Sequence, residues 1–163
     1  MILVLASSSP RRLALLRQGG IEPTRVLPPE IDETPLPREL PRPHALRLAI
    51  AKAEAVRARL DGVAAYVLAA DTVVACGRRI LPKTASPAEA RRCLELLSGR
   101  RHRVHGGVAV LAPDGRRSTR VVTTQVQVKR LTTLEVERYL AADEWRGKAG
   151  GYAIQGRAAA CVP

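Results

Sequence analysis

The sequence has no phenylalanine, one tryptophan and three tyrosines. With aromatics at 2% of 163 residues, any core must be built from Leu, Val, Ile and Ala. The same scarcity argues against the aromatic platforms on which single-stranded nucleic acids stack. Cysteine is sparse too. Cys76, Cys93 and Cys161 show no C-x-x-C spacing, which points to reduced thiols in a cytoplasmic protein and not to a disulfide framework. Acidic residues are the minority charge, 15 against 27 Lys and Arg, for a net charge of +12. A surface of that sign attracts polyanions such as nucleotides, nucleic acids or acidic membranes. Arg and Ala are spread along the whole chain, so compositional drift accounts for part of the excess. No apolar run approaches the length of a membrane span. The apolar start, MILVL, has no basic residues before it, the wrong order for a secretory signal. Also absent are G-x-x-x-x-G-K-[ST] and G-x-G-x-x-G, which argues against Walker and Rossmann sites, and no hydrolase nucleophile elbow is visible.

What is present is an alternation of strand and helix signals. Hydrophobic residues make up 46% of the chain, enough for a single domain over residues 1–163, with room for two lobes. Ile2 to Leu5 predicts a buried strand. Ser9 then fits a helix cap, with Pro10 at the first helical position and Gly19-Gly20 as the stop. The prolines from Leu27 to Pro43 predict a long irregular loop, of a length that is often functional. A helix is expected from about His44 to Leu60, with Leu46, Ala49, Ile50, Ala53 and Val56 on its apolar side. The run AAYVLAADTVVACGRRIL predicts a buried strand, interrupted at Asp71-Thr72, and a hairpin near Gly77. Ser86, Pro87, Glu89 and Gly99 bracket a helix. Two strands, about Val104–Leu111 and Ser118–Val128, turn at Pro113-Asp114-Gly115. A helix over Leu134–Ala142, a glycine-rich loop and a short terminal strand complete a mixed-sheet α/β pattern.

Several residues invite a chemical reading. In LASSSPRRLALL a strand feeds a helix N-terminus, where free N–H groups and the dipole favour an anion. Ser7 and Ser9 bring hydroxyls, and Arg11 and Arg12 bring guanidinium forks suited to phosphate. Two arginines in a first helical turn oppose the dipole unless an anion relieves them; a plain cap with two solvated arginines is an equal alternative. Asp71 ends an apolar run. A carboxylate there is costly unless it is paired or binds a metal, and it suits a general base or a Mg²⁺ ligand; a turn cap with Thr72 is the bland alternative. Lys52 and Lys83 gain weight only in combination with these. Asp32-Glu33 is an acidic spot in the proline-rich loop; it suits a second carboxylate for a metal, with simple loop polarity the plainer alternative. In GKAGGYAIQG the glycines permit close backbone approach, and Gln155 has an amide that can read a base edge. His102 and His105 have no third ligand nearby and read as surface or packing residues.

Taken in order, LASSSPRR, IDETP, RLAIAKAEAV, AADTVV, LPK, LSGRRHRV and KAGGYAIQG resemble the Maf family of nucleoside triphosphate pyrophosphatases over nearly the whole chain. The resemblance implies an α/β fold like that of inosine triphosphate pyrophosphatases: an elongated mixed β-sheet flanked by helices, with two lobes and a central cleft. It implies cleavage between the α and β phosphates of a nucleoside triphosphate, with Mg²⁺ or Mn²⁺. Asp71 takes the proton-acceptor position. Ser7, Ser9, Arg11, Arg12, Lys52 and Lys83 match polar and phosphate-binding positions, and Glu33 an acidic position near the metal, with Asp71 beside it. Arg11, Thr72 and Gln155 match positions tied to substrate choice and look like the dTTP/UTP branch. A small-molecule partner, a homodimer and a cytoplasmic location go with it. The alternative is a weak or inactive nucleotide- or nucleic-acid-binding paralogue with a regulatory role in cell division. Thr84 stands where the family usually has Pro, and Gly106 where it usually has Thr. The family pattern also continues past Pro163 with a Gly-Ser segment, a strand and a final helix.

Overall fold

In the computed structural model, which describes residues 1–163, the first strand lies one residue later than the sequence predicts. β1 is Leu3–Ala6, and α1 follows at Pro10–Gln18. The remaining elements are β2 (Arg25–Leu27), α2 (Pro41–Arg57), β3 (Tyr66–Cys76), β4 (Arg79–Leu81), α3 (Pro87–Leu97), β5 (Arg101–Leu111), β6 (Arg117–Gln127) and α4 (Thr133–Ala141). A 3₁₀ helix closes the chain at Arg157–Cys161. The six strands form one mixed sheet in the order β2-β1-β3-β5-β6, with β4 paired to β3. β1 runs parallel to β2 and to β3, while β4 is antiparallel to β3. The fold is therefore the mixed α/β arrangement expected, a six-stranded sheet flanked by four helices.

The chain divides into two compact units: Met1–Asp71 with Gly106–Val122, and Thr72–His105 with Thr123–Pro163. The core of the first is small and aliphatic, as the missing aromatics require. Val4, Ala6, Val67, Ala69 and Ala109 from the sheet meet Ala49, Ala53 and Val56 of α2. Alanine dominates because helix and sheet approach closely. Gly107 of β5 marks the tightest point: a Cβ there would stand 2.3 Å from the Ala45 carbonyl oxygen. The second unit holds Trp145, fully buried among Ala90, Leu94, Val136, Tyr139 and Ala158. Its indole N–H donates to the Leu140 carbonyl at 3.0 Å. A further cluster gathers Val74, Leu81, Cys93, Leu97 and Val128. No helix is long and apolar enough to cross a membrane.

The structure departs from the expectations in further places. β3 runs unbroken through Asp71 and Thr72, where an interruption is expected, because both residues keep extended backbone within the sheet. β2 was hidden, being three residues of a sheet edge inside a polar stretch. α2 starts at Pro41, not His44, because Pro41 and Pro43 both fall in the first turn, where a missing N–H costs no helical bond. Its buried stripe is also rotated. Ala45, Leu48, Ala49, Lys52, Ala53 and Val56 face the core, whereas Leu46 and Ile50 are only half-buried. The expected terminal strand is instead the 3₁₀ helix. Its alanines favour helical backbone, i+3 bonds run from Ala159 N to Gly156 O and from Val162 N to Ala159 O, and Ala158 packs on Trp145's cluster.

Candidate active site

Side chains alternate along a strand, so Val67, Ala69 and Asp71 share one face of β3. That face lies against α2, and it carries Asp71 into the first unit's interior, where it is 3% exposed. Lys52 sits on the buried stripe of α2, also 3% exposed. The sequence period thus aims an ammonium and a carboxylate at one another inside an aliphatic core. Lys52 Nζ donates to Asp71 Oδ1 at 2.5 Å and makes an ion pair with Glu33 Oε1 at 2.7 Å. One lysine thus bridges two carboxylates from a strand and a loop. Two carboxylates of like charge, one buried and one half-exposed, would repel one another; the shared ammonium offsets that repulsion.

The turn after β1 brings in a second group of cations. Ser7 is buried at the strand end, and its Oγ accepts the Ser9 N–H at 3.1 Å and Arg12 Nη1 at 3.4 Å. Ser9 occupies the N-cap position before Pro10, yet its side chain makes no capping bond; Ser7 Oγ holds the Ser9 backbone instead. The first turn of α1 has no acidic residue, and Arg11 is exposed while Arg12 is half-buried. Burial pushes the Arg12 guanidinium below its ordinary value, and Arg11 adds to that; Asp71 and Glu33 act in the opposite direction. Those couplings place Arg12 in the field of both carboxylates. Ser7, Arg12, Glu33, Lys52 and Asp71 therefore form one polar cluster in the first unit, with Ser9 and Arg11 on the adjoining turn.

Glu33 reaches Lys52 because its loop is clamped. Glu39 accepts from Leu36 N at 2.9 Å and meets His44 Nδ1 at 2.8 Å, and Arg47 binds both its oxygens. Arg47 Nη2 also donates to the Thr34 carbonyl at 3.1 Å, one residue past Glu33. Arg47, chiefly, with Leu36 and His44, holds the Glu39 carboxyl at about 2 against the opposing cost of burial. Sequence reasoning missed this clamp, although Arg47 lies within the RLAIAKAEAV stretch and Glu39 within the proline-rich loop.

The remaining candidates belong to the second unit. Thr72 is the next residue on β3, pointing to the opposite face, and is exposed. Lys83 forms a β-bridge with Ala149, which ties it to the glycine-rich loop. The neighbouring Thr84 is 1% exposed; its hydroxyl donates to the Trp145 carbonyl at 2.7 Å and its N–H to the Lys148 carbonyl at 3.2 Å. A proline at position 84 has neither donor, so the departure noted from the sequence is matched to its surroundings. Gln155 lies at the end of the same loop and is exposed. His102 and His105, expected at the surface or in packing, are both buried.

The donor set for a divalent ion is limited. No group of three or more His, Cys, Asp and Glu side chains gathers anywhere in the protein. Glu33 and Asp71, two hard oxygen donors already sharing one cation, fit an ion of the Mg²⁺ or Mn²⁺ kind, which takes one or two carboxylates and completes its shell with water and phosphate oxygens.

Comparison with known proteins agrees with this architecture. A HAM1 protein from Coxiella burnetii shares the fold, with a TM-score of 0.53 at 18% identity, covering 98% of this chain and 91% of that one. A dTTP/UTP pyrophosphatase of Paramagnetospirillum magneticum is 65% identical over 161 residues, 99% of this chain and 84% of its own length. One from Caulobacter vibrioides is 61% identical over 156 residues, 96% and 80% of the two chains. The family model described as Maf-like protein matches residues 2–163. With that match along almost every residue, and relatives of that identity, the chain belongs to the Maf-like protein family.

Proposed function

We propose that the protein hydrolyses dTTP and UTP to the nucleoside monophosphate and pyrophosphate. The observation that carries this reading is Asp71, a carboxylate buried on β3, held by Lys52 at 2.5 Å and backed by Arg12 and Glu33. The names of the relatives supply the substrate class.

Phosphoanhydrides resist water because their anionic oxygens repel a nucleophile. Arg11, Arg12, Ser7 and Ser9 at the α1 N-terminus neutralise and orient phosphate oxygens, helped by the helix dipole. Lys52 and Lys83 add point charges that stabilise the transition state and the leaving pyrophosphate. Asp71 accepts the proton of the attacking water, and Lys52 Nζ, bound to Oδ1, holds that carboxylate in place. Glu33 and Asp71 would hold the divalent ion, which when bound polarises the phosphoryl oxygens. Thr72, Gln155 and Arg11 choose the base. The expectations of a cytoplasmic location and a homodimer stay with this reading; light scattering against the 17.6 kDa chain mass decides the second.

Pyrophosphate release is the test. The protein is incubated with dTTP, UTP, CTP, ATP and GTP, each with Mg²⁺ or Mn²⁺. Release from dTTP and UTP above the others supports the reading, and binding without release from any of them refutes it. The alternative of a non-catalytic paralogue is not favoured, since relatives matched along nearly the whole chain carry the name of the enzyme.

A further inference from the structure

His102 takes no part in the proposed chemistry, yet the structure invests in it. It is 2% exposed, and its Nε2 lies 2.6 Å from Tyr152 Oη. The two rings meet edge to face, with centroids 5.5 Å apart and planes at 88°. His102 Nδ1 is buried without a partner, so the tyrosine hydroxyl is the one hydrogen-bond partner this imidazole has. A buried polar ring with a single partner makes that bond costly to lose.

Tyr152 belongs to the glycine-rich loop, whose backbone is pinned on both sides of it, and Gly156 N closes a turn onto the Ala153 carbonyl at 3.0 Å around Gln155. Gly150 N donates to the Pro82 carbonyl at 3.0 Å, and Ala153 N donates to Tyr139 Oη at 3.0 Å. Gly150 and Gly151 have φ of +70° and +71°, and a Cβ on Gly150 would stand 2.8 Å from Val74 Cγ1. Gln155 follows Ala153 by two residues. The last side chain anchored in the interior before Gln155 is therefore Tyr152, and β5 anchors it through His102.

We propose that His102 and Tyr152 are positioning residues for base discrimination: their hydrogen bond fixes the course of the loop and so the placement of the Gln155 amide. The inference rests on the reading of Gln155 as a base-choosing residue. Phosphate contacts are carried by other residues, so loss of the bond alters the choice between bases more than the rate common to all of them.

The test compares UTP with CTP in the wild type, Tyr152→Phe, His102→Gln, Gln155→Ala and the Tyr152→Phe/Gln155→Ala double variant. Tyr152→Phe keeps the ring and removes only the hydroxyl. The ratio of kcat/KM for the two nucleotides is measured, and the ratio of their Kd values by calorimetry, so the result does not depend on turnover. The UTP preference falls about three- to tenfold in Tyr152→Phe, the range of one lost hydrogen bond, and falls no further in the double variant than in Gln155→Ala alone. A merely structural bond slows both nucleotides by one factor and leaves the ratio unchanged. That outcome, or additive losses in the double variant, or a wild type with no UTP preference in either measurement, overturns the inference. A wild type that binds UTP selectively without releasing pyrophosphate refutes the proposed hydrolysis and leaves this comparison decisive.

Discussion

Arg47 holds Glu39 through two parallel hydrogen bonds, Nε to Oε1 at 2.6 Å and Nη2 to Oε2 at 2.8 Å. The fork matches the carboxylate plane, and the same guanidinium reaches the Thr34 carbonyl. Lysine cannot reproduce this pairing. Arg47→Lys should therefore lower stability by about 1–3 kcal/mol and loosen the segment that carries Glu33. Urea denaturation and the Mg²⁺ concentration for half-maximal pyrophosphate release measure the two effects. An unchanged Mg²⁺ requirement would show that the clamp does not serve Glu33.

The same pair gives a pH dependence with a definite sign. Glu39 sits at about 2 in the folded protein, below its ordinary 4.5. The unfolded chain therefore takes up this proton first as pH falls. The stabilisation is complete above about 4.5 and is lost progressively as pH drops towards about 2. Comparing Glu39→Gln with the wild type by denaturation at neutral pH and near pH 3 should show the gap between them narrowing in acid.

Asp71→Asn retains the shape and removes the proposed base. Turnover of dTTP should fall about 10²- to 10⁴-fold, while nucleotide binding measured by calorimetry survives. Turnover near that of the wild type would remove Asp71 from the mechanism.

Lys52→Met leaves Asp71 and Glu33 facing each other without their shared cation. Breaking a buried pair in this way costs about 3–5 kcal/mol. The double variant Lys52→Met/Asp71→Asn should recover part of that loss, since the neutral amide no longer needs a partner. Chemical denaturation of the three variants gives the coupling directly, and additive losses would contradict the pairing.

Thr84→Val removes one hydroxyl and keeps volume. It should cost about 1 kcal/mol through loss of the buried hydroxyl's bond to the Trp145 carbonyl, which keeps the Lys148 N–H as its other donor. Thr84→Pro also loses the N–H bond to Lys148 and should cost more; thermal unfolding ranks the two.

Local signals were legible in the chain. Ser86, Pro87 and Glu89 announced α3, and the Ser86 side chain does accept the Glu89 N–H. Thr132 and Glu135 form a complete capping box on α4. Asp71 stood out because a strand of apolar residues ended in a charge. What the sequence concealed depends on distance along the chain. The Glu39–Arg47 fork spans a proline-rich loop with no periodicity, and the His102–Tyr152 bond joins residues that only folding brings together. Lys52 was visible as an interruption in an alanine helix, but its depth depended on which face of α2 turned inward. β2 was too short and too polar to register, being held by its pairing with β1 and not by its own residues.

That inward turn of α2 depends on an absent methyl group. Because Gly107 has no side chain, the Ala45 carbonyl can rest almost on the sheet. Lys52 lies two helical turns further along the same face, about 10 Å away. Gly107 thus acts as a depth gauge for the ammonium that meets Asp71: any larger residue there lifts the helix and shortens the lysine's effective reach, a remote substitution that detunes the proposed proton acceptor without touching it.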